Sequence, residues 1–450
     1  MSKPMTQVRE ELLNLPMSEA SLEDLRSLFL QAAKPESEWM VGAEFEVFAV
    51  QKRDLHPADH GELAMLIEQI GASGSWDFER ERGGTLVGLK GPSRSVSLEP
   101  GGQLEYATSP HRQLRAMRDE LLAYCDELKE AGARAGLTFL CLGHQPFVHV
   151  EDAPRMPKAR YDRMRSYLGP RGARAMEMML LTGSIQCALD FSDETNLTNK
   201  IRTATRASPF IAALTSASPF TRGKPNGFKS VRYQVWLETD SERCGVWPEM
   251  LDAEGLTAER YIERALGVSP MFLMRDGQFR ATEERPFAHF VEHGFEGQPV
   301  RVRDFLDHLT TFFPEVRVKN YVELRGSDCL QPRYVSALAG FWRGILDHEP
   351  TRLEVEDRLA SMDFEAIQNL QPAVARRGLE ADSAAGPVVE VTEWLIETAY
   401  QRLRNGSPDC AECLQPLRDL ARNGRSPADA LLERAAESSV ATALREQVQL

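Results

Sequence analysis

The sequence predicts an α+β protein built on a largely antiparallel sheet. Strand-like stretches occur without strict alternation with helices, which argues against a doubly wound parallel sheet. Four of these stretches pair an apolar face with a face of carboxylates or amides, the period-two signature of a strand. From residue 349 onward the composition turns Ala/Leu/Glu/Arg-rich and helical.

Ser21 and Asp24, ahead of Leu22, Leu25, Leu28 and Phe29, read as a capping box opening a first helix. VGAEFEVFAV, 41–50, alternates and reads as a strand. SVSLEPGGQLEYATS, from 95, reads as strand, bend and strand. Leu114, Met117, Leu121, Leu122, Cys125 and Leu128 have amphipathic helical spacing over 112–131. GLTFLCLG (136–143), SIQCALDF (184–191) and VKNYVELRG (318–326) read as further strands, and Ser426-Pro427 opens a final helix. The parts are an N-terminal helical segment (1–35), a catalytic core (36–348) and a helical C-terminal region packed on it (349–450).

Of the 450 residues, 42% are hydrophobic and 27% charged, which is a globular composition. A formal charge of -14 argues against a nucleic-acid partner. No stretch approaches the roughly 18 apolar residues of a membrane span. The N-terminal MSKPMTQVREELLNL has no apolar signal core and does not read as a transit peptide. The expectation is a cytoplasmic protein, monomer or homodimer. Seven scattered cysteines, an odd number, do not suggest a disulfide framework. Cys410 and Cys413 form a lone CxxC, read as two thiols in a turn, because a four-ligand zinc site needs a second pair.

The acids carry the chemical signal. Glu44 and Glu46 share one strand face. Gln103 and Glu105 share another, and Glu99 lies across the bend Pro100-Gly101-Gly102. Gln186 lies opposite Ile185, Cys187 and Leu189, and Glu323 and Arg325 lie opposite Val322 and Leu324. A solvated face would mix lysine, serine, threonine and arginine with its acids. Here it is almost wholly Glu and Gln, without lysine. Same-sign carboxylates on one face repel, which a cation among them relieves. Oxygen-only ligands suit Mg²⁺ or Mn²⁺ rather than zinc. Neither GxGxxG nor GxxxxGK[ST] occurs, so any use of ATP proceeds without a phosphate loop of those kinds.

VGAEFEVF, SLEPGGQLEYATSP, RYDRMRSYL, GSIQCALDF, SASPFTRGKPNGF and FFPEVRVKNYVELRGSD follow in this order. The series resembles the glutamate–cysteine ligases of plants and proteobacteria, most densely over about 36–345. The resemblance implies a glutamine-synthetase-like antiparallel catalytic sheet. It also implies ATP as co-substrate, Mg²⁺ or Mn²⁺, and ligation of glutamate's γ-carboxylate to the amine of cysteine. By the family pattern Glu44, Glu46, Glu99, Glu105, Gln186 and Glu323 form the metal shell, and Gln103 contacts substrate. Arg232 and Arg325, read as lying on strands with the acids, are the expected catalytic arginines, each able to grip a carboxylate or phosphate bidentately. Arg165 and Arg232 are expected on substrate, and Arg325, Lys224 and Asn226 on ATP, the last two in the glycine-flanked GKPNGF loop. Phe45 and Val47 stand where plant-like members carry His and Lys, but they face away from the acids. The redox cysteines of the plant enzymes are not found at matching places.

Three rival readings remain. A ligase of this fold could use another amine. A non-catalytic relative could merely bind nucleotide. And His289, Glu292 and His293 match HxxEH, an inverted zinc-protease signature.

Overall fold

The computed structural model describes residues 10–450 apart from Ser73 and Ser407, so the start of the expected N-terminal segment lies outside the described residues. A nine-stranded sheet organises the chain. Its strands are β1 (Val41–Gln51), β2 (Asp77–Arg80), β3 (Leu86–Lys90), β4 (Ser95–Leu98), β5 (Gln103–Ala107), β6 (Leu137–Leu140), β7 (Ser184–Leu189), β8 (Val316–Val318) and β9 (Val322–Asp328). The order is β8-β9-β7-β1-β5-β4-β3-β2, with β6 pairing the far end of β1. Every pairing is antiparallel. The α+β expectation holds.

β1 sits centrally because both its faces are wanted. Phe45 and Val47 are buried on the apolar side. That side is covered by α1 (Leu114–Ala135), where the Tyr106 ring stacks on Tyr124 at 3.9 Å and the Tyr106 hydroxyl donates to Glu120 at 2.8 Å. Gly136 ends α1 in the left-handed region, φ 72°. Over the acid face lie α2 (Ala159–Leu168), α3 (Ala175–Leu181) and α4 (Val231–Leu237), whose Met164, Met178, Met179 and Arg232 face a shared cavity.

Two strand expectations are corrected. VKNYVELRG is not one strand: β8 ends at Val318 and β9 begins at Val322, a hairpin turning at Lys319–Tyr321. SVRYQVW is not a strand but α4, capped by Ser230, whose hydroxyl accepts from Tyr233 N at 3.0 Å.

The capping box is present: Ser21 caps the helix Leu22–Leu30 with Asp24 reciprocating. At the other end, Ser426-Pro427 opens a helix that stops at Glu437, and a separate helix follows at Val440–Gln447. One continuous apolar cluster joins Leu25, Phe45, Leu338 and Leu417, so the C-terminal helices share the core of the sheet. Cys410 lies in the helix Pro408–Glu412 rather than in a turn, and Cys413 follows it. No disulfide occurs among the described residues. No described helix is long and apolar enough to cross a membrane.

Candidate active site

Register brings the acids together. Glu46 stands opposite Glu105, and Glu44 opposite Gln186. The bend before β5 carries Glu99 inward. A Cβ on Gly101 would come within 1.9 Å of the Leu180 carbonyl oxygen, so only glycine lets α3 approach this closely. Gly102 takes φ 83°, and its N–H closes the turn onto the Glu99 carbonyl at 2.9 Å.

Glu46, Glu99, Gln103, Gln186, Arg232 and Arg325 line one open cavity of about 540 Å³, with Trp236 and Phe313 on its wall. Ser97 donates to Glu99 at 3.0 Å and to Glu105 at 3.4 Å. Ser184 donates to Glu46 at 2.9 Å and the Gln186 amide donates to it at 3.1 Å. Burial, then Glu99, pushes Glu46 up to about 7. Burial, then Glu44, Glu99 and Glu46, holds Glu105 well above the usual carboxylate range. These four glutamates crowd one another with little cationic relief.

Glu323 differs. Arg317 Nε lies 2.5 Å from it, Lys319 Nζ 2.6 Å and Arg325 Nη1 2.8 Å. Burial alone would raise its carboxyl, yet the three cations hold it well below the ordinary value. The expectation of a lysine-free acid face is therefore corrected: β8 and its turn deliver Arg317 and Lys319 to it. Sequence reasoning missed both, because reading 318–326 as one strand hid the hairpin.

Arg232 reaches the sheet from a helix, not a strand. The ladder between β9 and β7 shifts register between Leu324 and Ser327. This bulge frees the carbonyls of Arg325 and Gly326, which accept from Arg232 at 2.9 and 3.4 Å. Asp328 anchors the helix start, accepting from Ala217 N, Ser218 Oγ and Ser230 Oγ at 2.8, 2.7 and 2.8 Å. Arg325 donates to Gln186 and so joins Glu323 to Glu46 through that amide.

The remaining expected residues are placed as follows. Both ends of the Gln103 amide are used: Oε1 accepts from Gly101 N at 2.9 Å and Nε2 donates to the Thr182 carbonyl at 2.7 Å, so it fastens the bend. Arg165, on α2, spends Nη2 on Asp162 and keeps Nη1 buried without a partner. Lys224 is exposed on a short hairpin. Asn226 holds that hairpin, donating to the Ser218 carbonyl and Thr221 Oγ1 at 3.1 Å each. Neither lines the cavity. Tyr161, not foreseen, lies over the bend and donates to Leu98 O at 3.1 Å and to Glu99 at 3.4 Å.

Among the described residues no three His, Cys, Asp or Glu side chains converge tightly enough to hold an ion as they stand. The donor set of Glu46, Glu99 and Glu105 still fits a hard divalent cation, since carboxylates splay apart when nothing neutralises them. HxxEH gives no zinc site. His289 and His293 stack on each other at 4.4 Å on the surface helix Phe287–His293, and Glu292 is exposed.

An antiparallel sheet with a carboxylate face beside paired guanidiniums is the architecture of a glutamine-synthetase-like ligase. The fold is shared with the glutamate–cysteine ligase of Francisella tularensis solved in complex with AMP (TM-score 0.56, 12% identity, 91% of this chain and 88% of that one). The chain belongs to Glutamate-cysteine ligase family 2, whose model matches residues 40–449. It is 34% identical over 414 residues to the chloroplastic glutamate–cysteine ligase of Brassica juncea, covering 91% of this chain and 80% of the relative. To that of Arabidopsis thaliana it is 33% identical over 414 residues, 91% and 79% respectively. The cytoplasmic expectation does not stand, because these relatives are chloroplastic by name and point to a plastid.

Proposed function

We propose that the chain joins the γ-carboxylate of L-glutamate to the amine of L-cysteine at the expense of ATP. The products are γ-glutamylcysteine, ADP and phosphate, the first step of glutathione synthesis. Membership of the family supports the activity. The observation that carries the mechanism is the single cavity joining Glu46 and Glu99 to Arg232 and Arg325.

The chemistry needs no protein nucleophile. An oxygen of the γ-carboxylate attacks the terminal phosphorus of ATP, and ADP leaves. The amine then attacks the acyl carbon, loses a proton, and phosphate departs. Catalysis is positioning plus neutralisation of phosphate charge. Glu46, Glu99 and Glu105, with Glu44 beside them, are proposed to hold Mg²⁺. That ion supplies charge neutralisation at the phosphate oxygens.

Arg325, held in place by Glu323 and Gln186, is proposed to face the transferred phosphoryl group. Arg232 is fixed by the bulge carbonyls and lies beside it. Arg165 Nη1, buried and unpartnered next to the cavity residue Met164, is proposed as a donor to a glutamate carboxylate. Glu323 is proposed as the anchor of the arginines rather than as a metal ligand, and Gln103 as a brace of the bend rather than a substrate contact. Lys224 and Asn226 are left out of the proposed ATP site.

The test is ADP release with Mg-ATP and glutamate, adding one amine at a time and recording product mass. Cysteine-dependent release with a γ-glutamylcysteine mass is expected. Release with a different amine only would reassign the acceptor, and release with none would remove the activity.

A further inference from the structure

A second, smaller pocket of about 350 Å³ adjoins the acid cavity. Arg232, Trp236, Phe313 and Arg325 line both. Its size is at the lower end of small-ligand pockets, which suits one amino acid. Trp236, Leu237, Phe313 and Pro314 make its apolar walls, and Tyr233 and Glu315 line it as well. The Trp236 and Phe313 rings stand 6.1 Å apart at 55°.

Glu315 is the unusual member. It is only 8% exposed. It accepts from the Tyr233 hydroxyl at 2.9 Å and from Gln371 Nε2 at 2.8 Å, both neutral donors. Among the described residues no basic nitrogen lies within ion-pair distance. Arg232 approaches Asp328 instead, at 3.9 Å, and Arg325 binds Glu323. A buried carboxylate without a cation is costly, and such groups are normally paired. A Cβ on Gly326 would fall 2.9 Å from Glu315 Oε1, so the strand leaves that carboxylate just enough room. The Trp236 indole N–H is also buried without a partner. The pocket thus lacks a cation for Glu315 and an acceptor for Trp236, and it offers an apolar wall between them. An α-amino acid with a short side chain supplies all three.

We propose that this pocket is the subsite of the amine-bearing substrate. Glu315 holds its ammonium, Trp236 Nε1 and Arg232 face its carboxylate, and Phe313 and Leu237 pack its side chain. The proposal rests on the ligase reading above. It adds which end of the cavity the acceptor enters, and it makes Glu315 a specificity-determining residue, because an acceptor lacking an ammonium leaves that carboxylate unpaired.

The experiment is steady-state kinetics of Glu315→Gln in the full chain, varying each substrate in turn, with thermal unfolding as the folding control. KM for cysteine is expected to rise about tenfold or more, the loss of one charge-assisted contact, with KM for glutamate and ATP within about twofold of wild type. Trp236→Phe keeps the ring and removes the N–H. It is expected to show the same split at about three- to tenfold, and it carries the test if Glu315→Gln does not fold. A rise in KM for glutamate instead, or unchanged KM for every substrate, overturns the subsite. If wild type turns over with a different amine only, the cysteine reading fails, and the KM split for that amine decides the subsite. If wild type turns over with no amine, both readings fall.

Discussion

The guanidinium of Arg232, on a helix, donates to the backbone carbonyl of Arg325, on a strand, at 2.9 Å. One site arginine therefore holds the backbone from which the other projects, and the bulge in β9 is what makes that carbonyl available. Arg232→Lys replaces a planar fork by a point charge and leaves one buried carbonyl unpaired. The variant is expected to lose about 1–3 kcal/mol of stability and to turn over on the order of 100-fold more slowly. Denaturant unfolding and ADP release measure the two effects.

Asp328 collects three donors at the start of the Arg232 helix. In Asp328→Asn, an amide NH₂ must face at least one of the Ala217, Ser218 and Ser230 donors. A loss of about 2–3 kcal/mol is expected by urea unfolding. Near-wild-type stability would show that the hub does not fix the helix.

The site acids divide into two electrostatic kinds, and paired substitutions separate them. Glu105→Gln relieves repulsion from Glu44, Glu99 and Glu46, so without divalent cation it is expected to unfold at a higher temperature than wild type. The same variant is expected to gain less from added Mg²⁺. Glu323→Ala leaves Arg317, Lys319 and Arg325 without their shared acid and is expected to cost about 3–5 kcal/mol. Thermal melts with and without Mg²⁺ check both signs.

Glu315 supplies a pH dependence. Burial pushes its carboxyl from 4.5 up to about 7. A group whose pKa is raised on folding gives its stabilisation below its unfolded value, and that stabilisation is lost as pH rises through the folded value. Between pH 4.5 and 8 the wild type is expected to lose roughly 3 kcal/mol relative to Glu315→Gln. Parallel stability profiles for the two proteins would contradict this.

Part of this was legible in the sequence. The alternation of Glu44 and Glu46 with Phe45 and Val47 is a local, period-two fact, and the structure keeps it. The Ser21–Asp24 box is equally local. What escaped depends on distant partners. SVRYQVW alternates like a strand, but Ser230 caps a helix there and Asp328, nearly a hundred residues on, holds the cap. The turn at Lys319–Tyr321 contains neither glycine nor proline, so nothing local marked the hairpin that puts Arg317 and Lys319 among the acids. Gln103 looks like any face residue until its amide is seen spanning Gly101 and Thr182.

The most direct test of the account is to supply glutamate labelled with ¹⁸O in its γ-carboxylate and analyse the phosphate released during cysteine-dependent turnover. Attack of that carboxylate on ATP transfers one labelled oxygen to phosphate in each cycle, and this is the expected result. Phosphate free of label, with γ-glutamylcysteine still formed, would contradict the γ-glutamyl phosphate route on which the roles of Arg232, Arg325 and the acid face depend.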